Sequence, residues 1–347
     1  MNHLLEVNNL EINFKTYGGE VKAVRDVSFH VEKGEVVAIV GESGSGKSVT
    51  VQSIMGLIPT PPGIIKGGSI KFQGKELLRA SKREMRKVKG SKIGMIFQDP
   101  MTSLNPTMIV GKQIAEGLIN HQKLSKQEAK IKAIDMIRQV GIPNPEERYN
   151  QYPHEFSGGM RQRVMIAIAL ACNPELLIAD EPTTALDVTI QAQVLELMKD
   201  VQKDTQTSII LITHDLGVVA ETAQRVMVMY GGVMVESASV FDLFENPKHP
   251  YTWGLLNSIP DIEGTEKKKL IPIEGSPPDL FAPPKGCPFA PRCKYAMDIC
   301  IEEMPSDYQI NKGHSARCWL NDSRAPKVDI PVAIKIDEAV AVGSGAK

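Results

Sequence analysis

Three short runs along the chain consist almost entirely of apolar residues. They cover residues 36–40 (VVAIV), 176–179 (LLIA) and 208–213 (SIILIT), and they are rich in β-branched side chains or leucine. A strand with one face in water alternates apolar and polar positions, whereas a strand covered on both faces does not. The runs therefore predict buried strands of a parallel sheet, and we expect an α/β fold.

The stretch between the first two runs is typical of helices. Ser125 and Glu128 form a capping box, and apolar residues then repeat at i, i+3, i+4 and i+7 before Gly141. Glycine commonly follows the last turn of a helix. The pattern predicts a helical subdomain at about residues 100–172, inserted into the sheet domain.

The character of the chain changes after about residue 245. Prolines recur between residues 247 and 291, and no strong helical period continues there. We expect a sheet domain at 1–245 and a small Cys- and Pro-rich C-terminal region at 246–320. A poorly ordered tail is expected at 321–347, which is short of aromatic residues and ends in GSGAK.

Charge and composition narrow the possible partners and locations. The 347 residues carry 40 basic and 41 acidic side chains, so no global field attracts the chain to nucleic acid or to an anionic membrane. The longest apolar run, residues 164–172, is about half of the roughly 20 residues that a membrane-spanning helix needs. Glu6 and Glu11 interrupt the segment where a signal peptide is uncharged, so we expect the chain in the cytosol.

A phosphate-binding loop is predicted directly after the first apolar run. Residues 41–48 read GESGSGKS, which matches G-x-x-x-x-G-K-[ST] in its required strand context. Its glycines let successive backbone N–H groups turn toward one point, and the following helix adds its positive end. Lys47 is expected to reach the β- and γ-phosphates, and the Ser48 hydroxyl to coordinate Mg²⁺. The alternative is a Gly/Ser turn that contains a lysine by chance. The strand predicted directly before the loop argues against that alternative.

Acidic and polar residues follow the other apolar stretches. Asp180 and Glu181 end the second run, where Asp180 would hold Mg²⁺ and Glu181 would be the general base for the attacking water. His214 follows the third run and could hydrogen-bond the γ-phosphate, while Gln98 in MIFQDP could sense the metal or the water. Each alone is more often a solvated or structural residue. Combined with the phosphate-binding loop, they predict ATP hydrolysis.

Five motifs carry a family resemblance. GESGSGKS, FQDP, FSGGMRQR, LLIADEPTTALD and ITHD occur in the order found in ATP-binding cassette (ABC) ATPases, and the chain resembles that family of P-loop NTPases. The resemblance implies that two nucleotide domains sandwich two ATP molecules head to tail. Ser157, Gly158 and Gly159 would contact the γ-phosphate held by the partner's loop, and Asp187 would belong to a loop that crosses the interface. Phe156 and Met160 depart from the usual flanks of this signature.

The same resemblance assigns the residues that bind nucleotide. Tyr17 lies where such proteins stack an aromatic ring on adenine, although a plain strand-edge tyrosine is the alternative. The loop residues expected to contact ATP are Gly41, Ser43, Gly44, Gly46, Lys47, Ser48 and Val49, and those expected to hold Mg²⁺ are Ser48, Gln98 and Asp180.

A narrower resemblance covers nearly the whole chain. SIMGLIP, FQDPMTSLNP, YPHEFSGGMRQRVMIAIAL, NPKHPYTWGLL and GCPFAPRC together resemble the D-type ATPase subunits of oligopeptide and dipeptide importers. This implies an ATPase at the cytoplasmic face of a bacterial or archaeal membrane that powers peptide uptake. The implied partners are two membrane permeases, a second ATPase of the F type as a heterodimer and, indirectly, an extracytoplasmic peptide-binding protein.

Two other functions remain open from the sequence. Related transporters carry nickel or other small solutes, so the cargo is less certain than the machinery. A soluble ABC ATPase acting on nucleic acid or the ribosome is the other alternative. The single phosphate-binding loop and the short helical insertion argue against it, so we expect no nucleic-acid partner.

Four cysteines in the C-terminal region predict a metal site. Cys287, Cys293, Cys300 and Cys318 are spaced C-x5-C-x6-C-x17-C in a segment with little apolar material for a core. Four thiolates can hold Zn²⁺ or a 4Fe–4S cluster, and this spacing matches neither usual pattern. The importer resemblance favours the iron–sulfur cluster, with zinc as the runner-up. A region that senses redox state or metal and gates the ATPase is a further interpretation.

Overall fold

The protein, seen here in a computed structural model, is an α/β molecule whose described residues are 3–183, 188–258 and 272–329. The strands are β1 (Leu5–Thr16), β2 (Gly19–Val31), β3 (Val36–Val40), β4 (Gly63–Phe72), β5 (Lys75–Glu76), β6 (Ile93–Ile96), β7 (Leu176–Asp180), β8 (Ser208–Ile212), β9 (Arg225–Tyr230), β10 (Val233–Ser239), β11 (Tyr308–Asn311) and β12 (His314–Ala316). The helices are α1 (Lys47–Ile54), α2 (Lys82–Val88), α3 (Pro100–Ser103), α4 (Val110–Gln122), α5 (Lys126–Gln139), α6 (Pro145–Arg148), α7 (Gly158–Leu170), α8 (Val188–Thr205), α9 (Leu216–Thr222), α10 (Val240–Glu245), α11 (Pro250–Asn257) and α12 (Asp298–Glu302).

The chain divides into two compact units. The first comprises residues 1–30, 36–78 and 213–347, and the second comprises 31–35 and 79–212. The domain boundaries expected from the sequence stay a prediction. Of the predicted tail, the part beyond residue 329 lies outside the described residues.

The first unit contains an antiparallel sheet and a strand group that leads to the phosphate-binding loop. The antiparallel sheet has the order β2–β1–β4–β5, and Leu5 lies opposite Phe72. The other group has the order β11–β12–β10–β9–β3, in which β3 runs parallel to β9 and Ala38 lies opposite Val226. All five residues of β3 are buried, which confirms the strand predicted from VVAIV.

The second unit contains three parallel strands in the order β8–β7–β6. Ile178 of β7 lies opposite Ile210 of β8 and Met95 of β6. Every residue of these strands is buried, because both faces of the group are covered. The strands predicted at 176–179 and 208–213 are therefore confirmed, and each ends next to a predicted site residue.

The predicted capping box begins a helix of the second unit. The Ser125 hydroxyl accepts from Glu128 N (3.3 Å), and Ser125 N donates to the Glu128 carboxylate (2.8 Å), at the start of α5. The helix buries Ala133 and Ile137 on its apolar face and is followed by Gly141 at φ +70°. Sequence and structure therefore agree at both ends of this helix.

The C-terminal region contains a helix that the sequence pattern did not predict. The His249 ring caps α11, because its Nδ1 accepts a hydrogen bond from Tyr251 N at 3.0 Å. Pro250 occupies the first helical position, where the N–H that proline lacks would have no partner within the helix. Strand β12 pairs with β10, with Ala316 opposite Glu236, so this region extends a sheet of the first unit. Among the described residues, no helix is long and apolar enough to cross a bilayer.

Candidate nucleotide and metal sites

The phosphate-binding loop connects β3 to α1 and has a backbone that only glycine tolerates at two points. Gly41 has φ +149°, and a Cβ there would lie 2.1 Å from Met229 O. Gly46 has φ +101°, and its Cβ would lie 2.5 Å from Ala23 O. A side chain at either position would collide with a neighbouring carbonyl oxygen, so both positions require glycine.

The lysine of the loop is buried within it. Lys47 is 5% exposed, and its Nζ donates to the carbonyl oxygens of Gly41 (2.8 Å) and Glu42 (3.0 Å). Helix α1 begins here with no side-chain cap and no acidic residue in its own first turn, and the start of a helix attracts anions. Ser43 and Gly44 lie on the exposed part of the loop, and Ser48 and Val49 are half-buried in the first turn.

Ser45 is a loop residue that the sequence analysis did not single out. Its side chain is 4% exposed, and its Oγ has no hydrogen-bond partner among the described residues. A buried hydroxyl without a protein partner is uncommon in folded proteins. The signal in the sequence was its position inside GESGSGKS.

The catalytic carboxylate predicted from the sequence lies in the second unit. Asp180 ends β7 and is 3% exposed. Glu181 follows with φ +49°, a conformation that non-glycine residues rarely adopt, and its N–H donates to Ile212 O at 3.0 Å. Gln98 Nε2 donates to Glu181 Oε2 at 2.8 Å. The structure therefore brings Gln98 and Glu181 together, with the Glu181 backbone held by Ile212 and its carboxylate bound by Gln98.

The signature motif opens a helix at the surface of the second unit. Ser157 caps α7, and its hydroxyl accepts from Met160 N at 3.3 Å. Ser157 and Gly158 are exposed, and a Cβ on Gly158 would meet nothing within 4 Å. Gln162, which the sequence analysis did not single out, is buried and donates to Pro182 O, so it links this helix to the residue after Glu181.

Two further predicted residues are exposed in the first unit. His214 follows Thr213, whose N–H donates to Ile39 O of β3 at 3.4 Å. Tyr17 lies between β1 and β2 with its ring fully exposed. Asp187 lies outside the described residues. The first unit thus holds Tyr17, residues 41–49 and His214, and the second holds Gln98, residues 157–159, Asp180 and Glu181.

The four C-terminal cysteines surround one small cavity. A space of about 20 Å³ is lined by all four, and each is a free thiol. The Cys300 sulfur accepts a hydrogen bond from Met297 N at 3.5 Å. Burial raises the pKa of Cys287 to about 12. No three of these sulfur atoms, all in the described part of the chain, lie within 4.8 Å of one another.

Comparison with known proteins identifies the class. A family model described as "ABC transporter" matches residues 24–184, and one described as "Oligopeptide/dipeptide transporter, C-terminal region" matches residues 235–300. The chain belongs to the ABC transporter family, as one of its ATP-binding proteins, which couple ATP hydrolysis to transport. The predicted ABC ATPase fold is confirmed.

The most similar relatives include transport proteins of bacteria. The chain is 62% identical to the oligopeptide transport ATP-binding protein OppD of Bacillus subtilis, over 96% of this chain and 93% of that protein. It is 57% identical to the dipeptide transport ATP-binding protein DppD of Bacillus subtilis, over 94% of this chain and 97% of the relative. The predicted resemblance to D-type subunits is thereby confirmed.

Solved structures of isolated cassettes have the same fold. A dimeric post-hydrolysis structure of the ATP-binding cassette MJ0796 bound to ADP and Pi has a TM-score of 0.62 and 26% identity, covering 68% of this chain and 98% of that one. The cbiO1 cassette of Clostridium perfringens has a TM-score of 0.59 and 29% identity, covering 70% of this chain and 91% of that one.

Proposed function

We propose that this chain binds and hydrolyses ATP to power the uptake of oligopeptides or dipeptides through an ABC importer. The observation that carries the proposal is the 62% identity to an oligopeptide transport ATP-binding protein across 96% of the chain. The similarity includes the C-terminal region, which matches the oligopeptide/dipeptide transporter model. The alternatives of nickel or another solute, and of a role on nucleic acid or the ribosome, have no comparable support.

The phosphates of ATP bind to the loop at residues 41–49. Its backbone N–H groups and the Lys47 ammonium neutralise phosphate charge, and the unpartnered Ser45 hydroxyl is a further donor. Ser48, Asp180 and Gln98 provide hydroxyl, carboxylate and amide oxygens, which are the donors that Mg²⁺ prefers. When bound, Mg²⁺ neutralises charge on the β- and γ-phosphate oxygens.

Glu181 is the general base. Its carboxylate takes a proton from the attacking water, and Gln98 keeps that carboxylate in one orientation through the 2.8 Å hydrogen bond. The left-handed backbone of Glu181 supports this role, because strained conformations persist where the structure needs a side chain in one place. His214 donates a hydrogen bond to the γ-phosphate and stabilises the charge that develops there.

The complete ATP site needs a second nucleotide domain. Ser157, Gly158 and Gly159 grip the γ-phosphate bound by the partner, Asp187 lies at the interface, and Tyr17 stacks on adenine. The exposed start of α7 supports this arrangement, as does the similarity to a dimeric cassette bound to ADP and Pi. The second domain is an F-type ATPase, which makes the assembly a heterodimer.

The assembly docks on a membrane. Two permease subunits form the translocation path, and an extracytoplasmic binding protein delivers the peptide, so the chain is a peripheral protein at the cytoplasmic face of a bacterial or archaeal membrane. The names of the relatives, which are transport ATP-binding proteins, support this organisation. Nucleic acid is not a partner.

Peptide uptake by a complemented strain tests the function. A bacterium that lacks its own oligopeptide transport ATP-binding subunit should regain uptake of a labelled tripeptide when it expresses this chain with its neighbouring subunits. Glu181→Gln should abolish uptake and lower ATP turnover by about 10²-fold or more while ATP still binds. Glu175→Gln, an exposed partner of Lys92, is the matched control. Nickel uptake without peptide uptake contradicts the cargo, and near-normal turnover of Glu181→Gln contradicts its role as base.

We also propose that the four cysteines hold a 4Fe–4S cluster. Four cysteine thiolates are the usual ligands of such a cluster, and these four cysteines line one cavity. The resemblance to the D-type subunits of peptide importers favours the cluster over Zn²⁺, which four thiolates can also hold. When bound, the cluster cross-links the region and supplies one-electron redox chemistry.

Metal analysis of the anaerobically purified transporter tests the cluster. About four irons and four sulfides per chain are expected. Cys293→Ser should lower the iron content, whereas Cys172→Ser, which changes a cysteine outside the cluster, should not. Zinc without iron, or a protein without either metal, contradicts the proposal.

A further inference from the structure

Arg292 joins the C-terminal region to the phosphate-binding loop. It lies between Cys287 and Cys293, and its side chain is 6% exposed. Nη1 donates to Glu42 Oε2 at 2.7 Å, and Nη2 donates to Glu42 Oε1 at 3.1 Å, so the guanidinium grips both carboxylate oxygens. Such two-pronged, charge-assisted contacts are among the stronger hydrogen bonds in proteins and fix geometry as well as distance.

All five N–H groups of Arg292 have an acceptor. Besides Glu42, Nη1 donates to the Tyr230 hydroxyl (3.0 Å), Nη2 to Ile273 O (3.0 Å) and Nε to Glu274 O (2.8 Å). The guanidinium also lies 5.7 Å from the centre of the Tyr230 ring. A lysine has three donors and no planar fork, so it cannot reproduce this set of contacts.

Glu42 connects Arg292 to the centre of the phosphate-binding loop through its backbone hydrogen bonds. It is the second residue of GESGSGKS, and its N–H donates to the Tyr251 hydroxyl at 2.7 Å. Its carbonyl oxygen accepts from Lys47 Nζ (3.0 Å) and from Ser45 N (3.2 Å). Two residues of the C-terminal region, Tyr251 and Arg292, therefore hold Glu42, whose carbonyl oxygen binds Lys47.

We propose that Arg292 is a positioning residue for ATP binding, which acts through Glu42 to hold the phosphate-binding loop in its binding conformation. The proposal rests on the nucleotide-binding role of this loop. A merely structural role would attach the C-terminal region to the rest of the first unit and leave affinity for ATP unchanged. If Arg292 positions the loop, the affinity for ATP should fall when the contact between Arg292 and Glu42 is removed.

The test separates KM from kcat in the assembled transporter. Arg292→Met should raise KM for ATP about tenfold, or about 1.4 kcal/mol, with kcat within about twofold. Arg292→Lys keeps the charge but loses the fork, so it should raise KM by a smaller factor. Arg317→Met is the matched control, because Arg317 also belongs to the C-terminal region and pairs with Asp26 at 3.1 Å, away from the loop. Its KM should equal that of the wild type.

A double variant identifies the path of the effect. Arg292→Met combined with Glu42→Gln should raise KM no further than Arg292→Met alone, because both changes break the same contact. If Arg292→Met fails to fold, Glu42→Gln alone, which leaves the guanidinium in place, should still raise KM.

Three results would overturn the proposal: an unchanged KM in the folded Arg292 variant, an unchanged KM in Glu42→Gln, or additive effects in the double variant. A wild-type transporter that neither binds nor hydrolyses ATP would instead contradict the proposed function itself.

Discussion

Replacing Glu236 with glutamine should destabilise the C-terminal region. Glu236 lies in β10, and its carboxylate is completely buried. One oxygen accepts from Lys248 N (2.6 Å) and His314 Nε2 (2.9 Å). The other accepts from His249 N (3.0 Å) and the Thr252 hydroxyl (2.6 Å). Each carboxylate oxygen has room for two such bonds, so both are saturated.

The size of the effect follows from those four bonds. Glutamine keeps one carbonyl oxygen as an acceptor and places an NH₂ donor where the other oxygen was. In either orientation one backbone N–H, that of Lys248 or of His249, then faces the NH₂ group, whereas the Thr252 hydroxyl or the His314 ring can accept from it. A buried N–H group without its partner costs about 1–3 kcal/mol. The free energy of unfolding should fall by about 1–3 kcal/mol, a substantial share of the roughly 5–15 kcal/mol of a typical domain.

Tryptophan fluorescence reports the unfolding of the C-terminal region, where this loss of stability is expected. The chain has two tryptophans, Trp253 and Trp319, and both belong to the C-terminal region. Urea denaturation followed by their emission should show a lower midpoint for Glu236→Gln than for the wild type. Glu245→Gln, which changes an exposed carboxylate nearby, should unfold with the wild-type midpoint. A Glu236→Gln curve that overlays this control would refute the reasoning.

Two other predictions concern pH and nucleotide binding. Burial lowers the pKa of His249 to about 3, so below about pH 6.5 the unfolded chain binds a proton that the folded chain does not. Its contribution to stability is present above about pH 6.5 and is lost as the pH falls toward 3. Between about pH 6.5 and pH 5 the free energy of unfolding should fall by about 2 kcal/mol more in the wild type than in His249→Asn, a variant that keeps an acceptor for Tyr251 N. Urea denaturation at several pH values measures the difference, and parallel pH profiles of the two proteins would contradict this prediction. Gly41→Ala places a Cβ 2.1 Å from Met229 O, so ATP binding should weaken at least about tenfold in equilibrium titrations, and wild-type affinity would show that the loop adapts.

The sequence predicted those parts of the fold whose cause is local. The strand at 36–40 and helix α5 agree with the structure because continuous burial and capping leave their mark on neighbouring residues. Helix α11 was missed because its prolines resemble helix breakers, although Pro250 occupies the first helical position, where proline is favourable. The antiparallel sheet of β1 and β4 depends on pairing between segments about 60 residues apart, which no local period records.

Some residues of the candidate site could likewise be predicted from the sequence, and others became visible only in the structure. Lys47 and Glu181 could be named from motifs, because phosphate binding and base catalysis require certain residue types next to buried strands. The left-handed backbone of Glu181 and its bond to Gln98 became visible only in the structure. Arg292 lies in the motif GCPFAPRC, but nothing in that motif indicates its partner Glu42, which is 250 positions away in the sequence.

The C-terminal region contacts the phosphate-binding loop through Tyr251 and Arg292. A chain cut after residue 245 would keep the whole ABC transporter match, which ends at 184, but would lose Tyr251 and Arg292. The N–H and the carboxylate of Glu42 would then lose the partners that hold them at 2.7 Å each. Because the Glu42 carbonyl also binds Lys47, the loss would extend to the residue that meets the phosphates. On the proposal that Arg292 positions the phosphate-binding loop, the region that distinguishes this chain from isolated cassettes contributes to the affinity for ATP.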